Sequence, residues 1–165
     1  MSNPLNISPF NTKGSVDKAR VGKTEIPKWT LFADGKSFAW SNRMERVQVI
    51  RAGIPYDSIE IISKKMNSPV KLFLNLVGLA QTTYNKKKVS HSLLDSRDSE
   101  LILRISELID FGLDVFNSEE EKFQNWMIKP NLALNGIPPI KFLDTISGIN
   151  EVKFCLNRIE HGNFA

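Results

Sequence analysis

The side chains able to do covalent or acid–base chemistry are few and scattered. His91 and His161 stand about 70 positions apart, and Cys155 is the sole cysteine. Neither histidine belongs to a spaced metal-ligand motif, and Cys155 has no local partner motif. His161 falls near a helix C-terminus, where an imidazole interacts with the last carbonyls and the dipole. Cys155 lies on an apolar face and reads as core. Ser118-Glu119-Glu120-Glu121 reads as a capping box, with Ser118 bonding the Glu121 amide, rather than as a carboxylate dyad. Gly22-Lys23-Thr24 is a fragment of a phosphate-binding loop, but Asp17 occupies the place of its first glycine and no apolar strand precedes it. No catalytic residue, cofactor or metal is therefore expected. A lone cysteine excludes an intramolecular disulfide and a Cys-rich zinc site, and a reducing cytoplasmic setting is the default.

Binding chemistry is better represented. Gln81 to Lys88 is a short basic helix offering Thr82, Thr83, Asn85, Lys86, Lys87 and Lys88, with Tyr84 as its inward residue. Thr and Asn suit base edges, and lysines suit phosphates. The preceding segment caps at Asn67 or Ser68, starts with Pro69 and carries Leu72, Phe73, Leu76 and Val77 on its apolar face. Gly78-Leu79-Ala80 breaks the two helices, so the whole reads as a helix-turn-helix for operator DNA. The competing reading is a solvated basic helix in an ordinary bundle. Lys87 stands where many such motifs place an aliphatic packing residue.

The elements around it are helical. Met44, Val47, Val49 and Ile50 lead to a C-capping Gly53. Pro55 opens a second helix with Ile59, Ile62 and Met66. The longest helix is predicted from about Ser96 to Phe116, with Leu101, Ile102, Ile105, Leu108, Ile109, Leu113 and Phe116 in step. Phe123, Trp126 and Met127 mark the next. Short helices follow at Pro139–Leu143 and Ile149–His161, the last with Val152, Leu156 and Ile159 inward and Thr145 or Ser147 as a cap. Trp29 to Phe32 and Ser37 to Trp40 flank Asp34-Gly35, a type I′ hairpin signal. The fold class is all-α: a small helical bundle with a possible N-terminal hairpin. Residues 1–42 form an arm with that hairpin, 43–116 the helix-turn-helix domain and 117–165 a C-terminal domain.

In the 165-residue chain, hydrophobic residues make up 41% and charged residues 24%. No run approaches the ~20 apolar residues of a membrane span, and Met1–Phe10 lacks the basic and apolar regions of a secretory signal. Met1 to Leu94 carries 15 Lys+Arg against 6 Asp+Glu, whereas Asp95 to Ala165 carries 7 against 12. A basic half followed by an acidic half suggests two surfaces with two kinds of partner.

The stretch Trp126 to Ile140 contains Pro130-Asn131-Leu132-Ala133-Leu134-Asn135-Gly136-Ile137-Pro138-Pro139. Asp144-Thr145-Ile146-Ser147-Gly148 follows, and Gly162-Asn163-Phe164 stands near the end. These residues resemble the toxin-binding domain of the Xre/MbcA/ParS antitoxins. Gly53-Ile54-Pro55 through Phe116 is similar to the Xre-like domain that precedes it in that family. The resemblance implies a type II antitoxin whose toxin carries a RES domain and consumes NAD⁺. It also implies a homodimer that represses its own operon. Asn131, Gly136, Pro138, Asp144, Glu151, Arg158, Glu160, His161, Gly162, Phe164 and Ala165 become the candidate toxin-binding residues, with the tail from Gly162 to Ala165 covering the toxin's nucleotide site. Two alternatives stay open: a stand-alone helix-turn-helix regulator, and a helical adaptor that binds no DNA.

Overall fold

A computed structural model describes residues 29–162. The arm Met1–Lys28 with Gly22-Lys23-Thr24, and the tail residues Asn163, Phe164 and Ala165, lie outside the described residues.

The chain opens with the hairpin. Strands β1 (Trp29–Ala33) and β2 (Lys36–Trp40) pair antiparallel with Leu31 opposite Phe38. Asp34 and Gly35 take φ of 50° and 67°, the two positive values a type I′ turn requires. The hairpin does not stand alone. Leu31 and Trp40 are buried in the main core, and the Trp40 indole donates to Glu107 Oε1 at 2.8 Å. Arg46 reaches the other Glu107 oxygen at 3.2 Å.

Helix α1 (Arg43–Ala52) begins at Asn42, whose side chain accepts from the Met44 and Glu45 amides. It ends at Gly53 as predicted, with φ 82°. A Cβ there would sit 2.6 Å from the Leu94 carbonyl oxygen, so only glycine lets the two backbones approach. Met44, expected on the apolar face, is exposed; Ile50 is the residue α1 buries. Helix α2 (Asp57–Lys65) starts later than the sequence suggested, because Pro55 is spent on a backbone bridge to Leu93.

Helix α3 (Val70–Val77) has no side-chain cap. Asn67 instead takes φ 48° as the chain leaves α2, which removes the expected Asn67 or Ser68 cap. Phe73 and Leu74 are buried, while Leu72 is exposed. Helix α4 (Gln81–Val89) follows. Helix α5 (Ser96–Val115), capped by Asp95, matches the expected long helix and buries residues from Ser99 to Gly112. It is the spine against which α1, α2, α6 and α7 pack.

Helix α6 (Glu120–Ile128) lacks the capping box. Ser118 takes φ 62°, Glu119 is the N-cap, and no side chain bonds the first turn. Phe116 closes α5 in a wide turn through Asn117 and Ser118, both left-handed, so Ser118 lies one residue outside the capping position. Phe123 of α6 lies against α5 at Gly112, where an added Cβ would stand 2.2 Å from the ring. Two 3₁₀ turns (Leu132–Leu134 and Pro139–Phe142) lead to helix α7 (Ile146–Glu160). α7 starts three residues before the expected Ile149, because Thr145 accepts the Gly148 amide at 3.1 Å. Gly148 fits under the Phe142 carbonyl, 2.1 Å from where a Cβ would be.

Candidate functional site

The helix-turn-helix is built as its residue types require. Gly78 takes the left-handed conformation at φ 76°, the Leu79 amide donates to the Leu74 carbonyl at 2.9 Å and the Gly78 amide to Asn75. That is a Schellman end, and it turns the chain sharply into α4. Tyr84 is the one residue that α4 buries, packed 6.4 Å from the Tyr56 ring. Burial holds the phenols of Tyr56 and Tyr84 protonated above their ordinary range.

Thr82, Thr83, Asn85, Lys86 and Lys87 are all exposed. Spacing of four places Thr82 with Lys86 and Thr83 with Lys87 in two adjacent rows. The Gln81 amide donates to Asn85 Oδ1 at 3.2 Å. Lys88 behaves differently. Its ammonium turns back to α2, bonds Glu60, stands 3.4 Å from Asp57 and lies over the Tyr84 ring. Glu60 also pairs with Lys64 at 2.7 Å. Hydrogen bonds from Lys64 and then Lys88 hold the Glu60 carboxyl at about 2, and the bond to Glu60 raises the Lys88 ammonium. The three consecutive lysines therefore divide: two face solvent, and one clamps α4 to α2.

The C-terminal segment forms a second face. Asn131 bonds the Ala133 amide at 2.9 Å with its side chain, and its carbonyl accepts from Gly136 at 2.8 Å. Asn135 and Gly136 take φ of 54° and 77°, so the expected left-handed position at Gly136 is present with a second beside it. Pro138 caps the turn at Pro139–Phe142. These residues form a loop closed by its own hydrogen bonds.

The other candidates spread along α7. Asp144 sits just before it, Glu151 is exposed at its middle, and Arg158, Glu160 and His161 lie at its far end. A 15-residue helix is about 22 Å long, so the two groups do not converge on one point. His161 caps the helix as expected, with Nδ1 2.8 Å from the Asn157 carbonyl. Gly162 leaves the helix at φ 69°. Cys155 is buried, and desolvation raises its thiol, in keeping with a core role.

Sequence reasoning missed the apolar part of this face. Phe154 is 60% exposed and Leu132 is 95% exposed, with Ile128 and Ile137 also open to solvent. An open groove of about 600 Å³ runs between Leu72 and Leu76 of α3 and Ile128 and Ile140, with Asp144 at its edge. A depression of about 490 Å³ lies on the other side of Asp144 and is lined by Asp95, Asp98 and Glu100, with Arg97. Burial and then the neighbouring Asp95 raise the Asp98 carboxyl. The available signal was phase: Phe154 falls off the Val152, Leu156, Ile159 period and points away from the core.

Residues 112–162 match the family described as the antitoxin Xre/MbcA/ParS C-terminal toxin-binding domain. Two proteins named Antitoxin Xre align with the chain. That of Photorhabdus laumondii is 26% identical over 114 residues, covering 69% of this chain and 77% of its own. That of Yersinia enterocolitica is 27% identical over 119 residues, covering 72% and 80%. The Prs ADP-ribosylating antitoxin of a Sphingobium species is 26% identical over 138 residues, covering 79% and 87%. By these matches the chain is similar to the Xre/MbcA/ParS-type antitoxins. The matched segment begins at Gly112, inside α5, and ends at Gly162. It thus includes the Asn131–Gly136 loop, α7 and all four exposed apolar residues Ile128, Leu132, Ile137 and Phe154. Among the described residues no helix is long and apolar enough to cross a membrane.

Proposed function

We propose that this chain is an antitoxin that neutralises a RES-domain, NAD-consuming toxin in the cytoplasm by binding it through residues 117–165, as a type II partner and without catalysis of its own. The observation that carries the reading is the exposed apolar set, Phe154 and Leu132 above all, lying within the segment that matches the toxin-binding domain. Exposed aromatic residues with polar neighbours are the anchors of protein interfaces. A relative named for ADP-ribosylation supports a toxin that handles NAD⁺. Asp144, Glu151 and Glu160 supply negative charge for cationic groups that otherwise meet dinucleotide phosphates. The tail from Gly162, through Phe164 to Ala165, covers the nucleotide site.

Through α4, the free antitoxin binds operator DNA as a homodimer and represses its own operon. Thr82, Thr83 and Asn85 read base edges, and Lys86 and Lys87 contact phosphates. Co-expression with the adjacent toxin gene tests the first part. Full-length chain should restore growth, and a chain ending at His161 should fail to do so. Equal rescue by the shortened chain overturns tail occlusion. Gel-shift with the upstream region tests the second, and its failure leaves an adaptor that binds no DNA.

A further inference from the structure

Linear spacing showed no metal motif because the three residues concerned come from three distant segments. Asp34 forms the hairpin turn, Asp57 opens α2, and His91 follows α4. The fold brings one ligand atom of each to within 4.8 Å of the others. His91 Nδ1 stands 3.0 Å from Asp34 Oδ1. Asp34 and Asp57 are partly buried, while His91 faces solvent, which leaves an entry path. Asp34 and His91 both take left-handed backbone, at φ 50° and 49°, a conformation uncommon for residues other than glycine.

We propose that Asp34, Asp57 and His91 form a binding site for a divalent first-row transition metal ion, of the Zn²⁺ or Mn²⁺ class. One imidazole and two carboxylates are a hard-to-borderline donor set, with no thiolate to select soft ions. Three protein ligands leave a fourth position for water. The Lys88 ammonium, 3.4 Å from Asp57, is the cation that now neutralises that carboxylate. Its stronger bond is to Glu60, so it can yield Asp57 to a metal without losing its main partner. The bound ion would join the hairpin tip to both ends of the α2–α4 unit, and so fix the base of the helix that carries Thr82 to Lys87.

The test is titration calorimetry of the full chain with ZnCl₂ alone, followed by Co²⁺ absorption spectroscopy. One equivalent should bind, and Asp34→Asn, Asp57→Asn and His91→Asn should each weaken binding at least tenfold. Asn suits the positive φ at positions 34 and 91, so these variants keep their turns; far-ultraviolet circular dichroism checks that they are folded. The Co²⁺ form should show visible ligand-field bands without a thiolate charge-transfer band. Absence of stoichiometric binding, folded variants that all bind as the parent does, or a thiolate band assigning the ion to Cys155 would each overturn the proposal.

Discussion

Helices α4 and α7 carry the two candidate faces, and they are anchored in opposite ways. α4 buries Tyr84 alone. α7 buries Gly148, Ile149, Val152, Cys155 and Leu156 along its length. α4 presents polar and basic groups to solvent, whereas α7 presents Phe154 among Glu151, Asn157 and Arg158. A helix held by one ring and one lysine clamp can adjust to a duplex. A helix held along five positions offers a fixed surface to a protein. The difference lies in how the anchoring is distributed, and that makes it measurable.

The largest effect should come from the single anchor. Tyr84→Ala removes the only ring α4 buries and should cost about 3 kcal/mol, the scale of large aromatic truncations. Native-state hydrogen exchange should show α4 amides losing protection while α7 amides keep theirs. Val152→Ala, one of five anchors, should lower global stability by about 1–2 kcal/mol without releasing α7 selectively. If Tyr84→Ala lowers protection uniformly in both helices, the two are one cooperative unit through α5, and the contrast in anchoring has no dynamic meaning.

The sequence was most legible where one residue type has one conformational use. Gly53, Gly78 and Gly136 sit at positive φ as their contexts required, and Asp34-Gly35 makes the hairpin turn. Periodicity placed α5 within a residue of its observed ends. It failed where a competing contact decided. Ser118 is carried into a left-handed turn instead of capping α6, and Pro55 pairs with Leu93 instead of opening α2. Within the sites, the Lys86–Lys88 run looked uniform because charge alone is visible in sequence. Only the position of Glu60, 28 residues upstream, separates Lys88 from its neighbours. Phe154 was overlooked because an apolar residue off the core phase has no local signature of exposure.

Phe154→Asp sharpens the contrast from the α7 side. The side chain is exposed, so folding stability should stay within about 0.5 kcal/mol. Toxin binding should weaken by about 2 kcal/mol or more, roughly 30-fold, as for a truncated interface anchor. Calorimetry against purified toxin reads the second, and a denaturant melt reads the first. Unaltered toxin affinity would move the interface off α7. On the α4 side, Lys86→Ala with Lys87→Ala should reduce the slope of log K against log salt by about 1.8 for operator DNA. Lys88→Ala should leave the slope unchanged, because its charge is already committed to α2. An equal loss from Lys88 would mean that the clamp opens on the duplex.

The smallest effect concerns acid. Glu60 is held at about 2 against an ordinary 4.5 by its bonds to Lys64 and Lys88. A carboxyl depressed in the folded state favours folding above its unfolded value, and that contribution fades as pH falls through the folded one. Stability should therefore decline between about pH 4.5 and 2, on top of the general loss from other carboxylates. The pair is partly open to solvent, so its share should not exceed about 1 kcal/mol. Glu60→Gln should flatten that part of the curve in urea melts across the window. The location of the change matters more than its size. Glu60 joins α2 to α4, so hydrogen exchange at acid pH should open α4 first and leave α7 protected. Glu60→Gln should then open α4 more at pH 6 than the parent does at the same pH. If acid instead opens α7 first, the lysine clamp does not govern α4, and Tyr84 alone holds the helix in place.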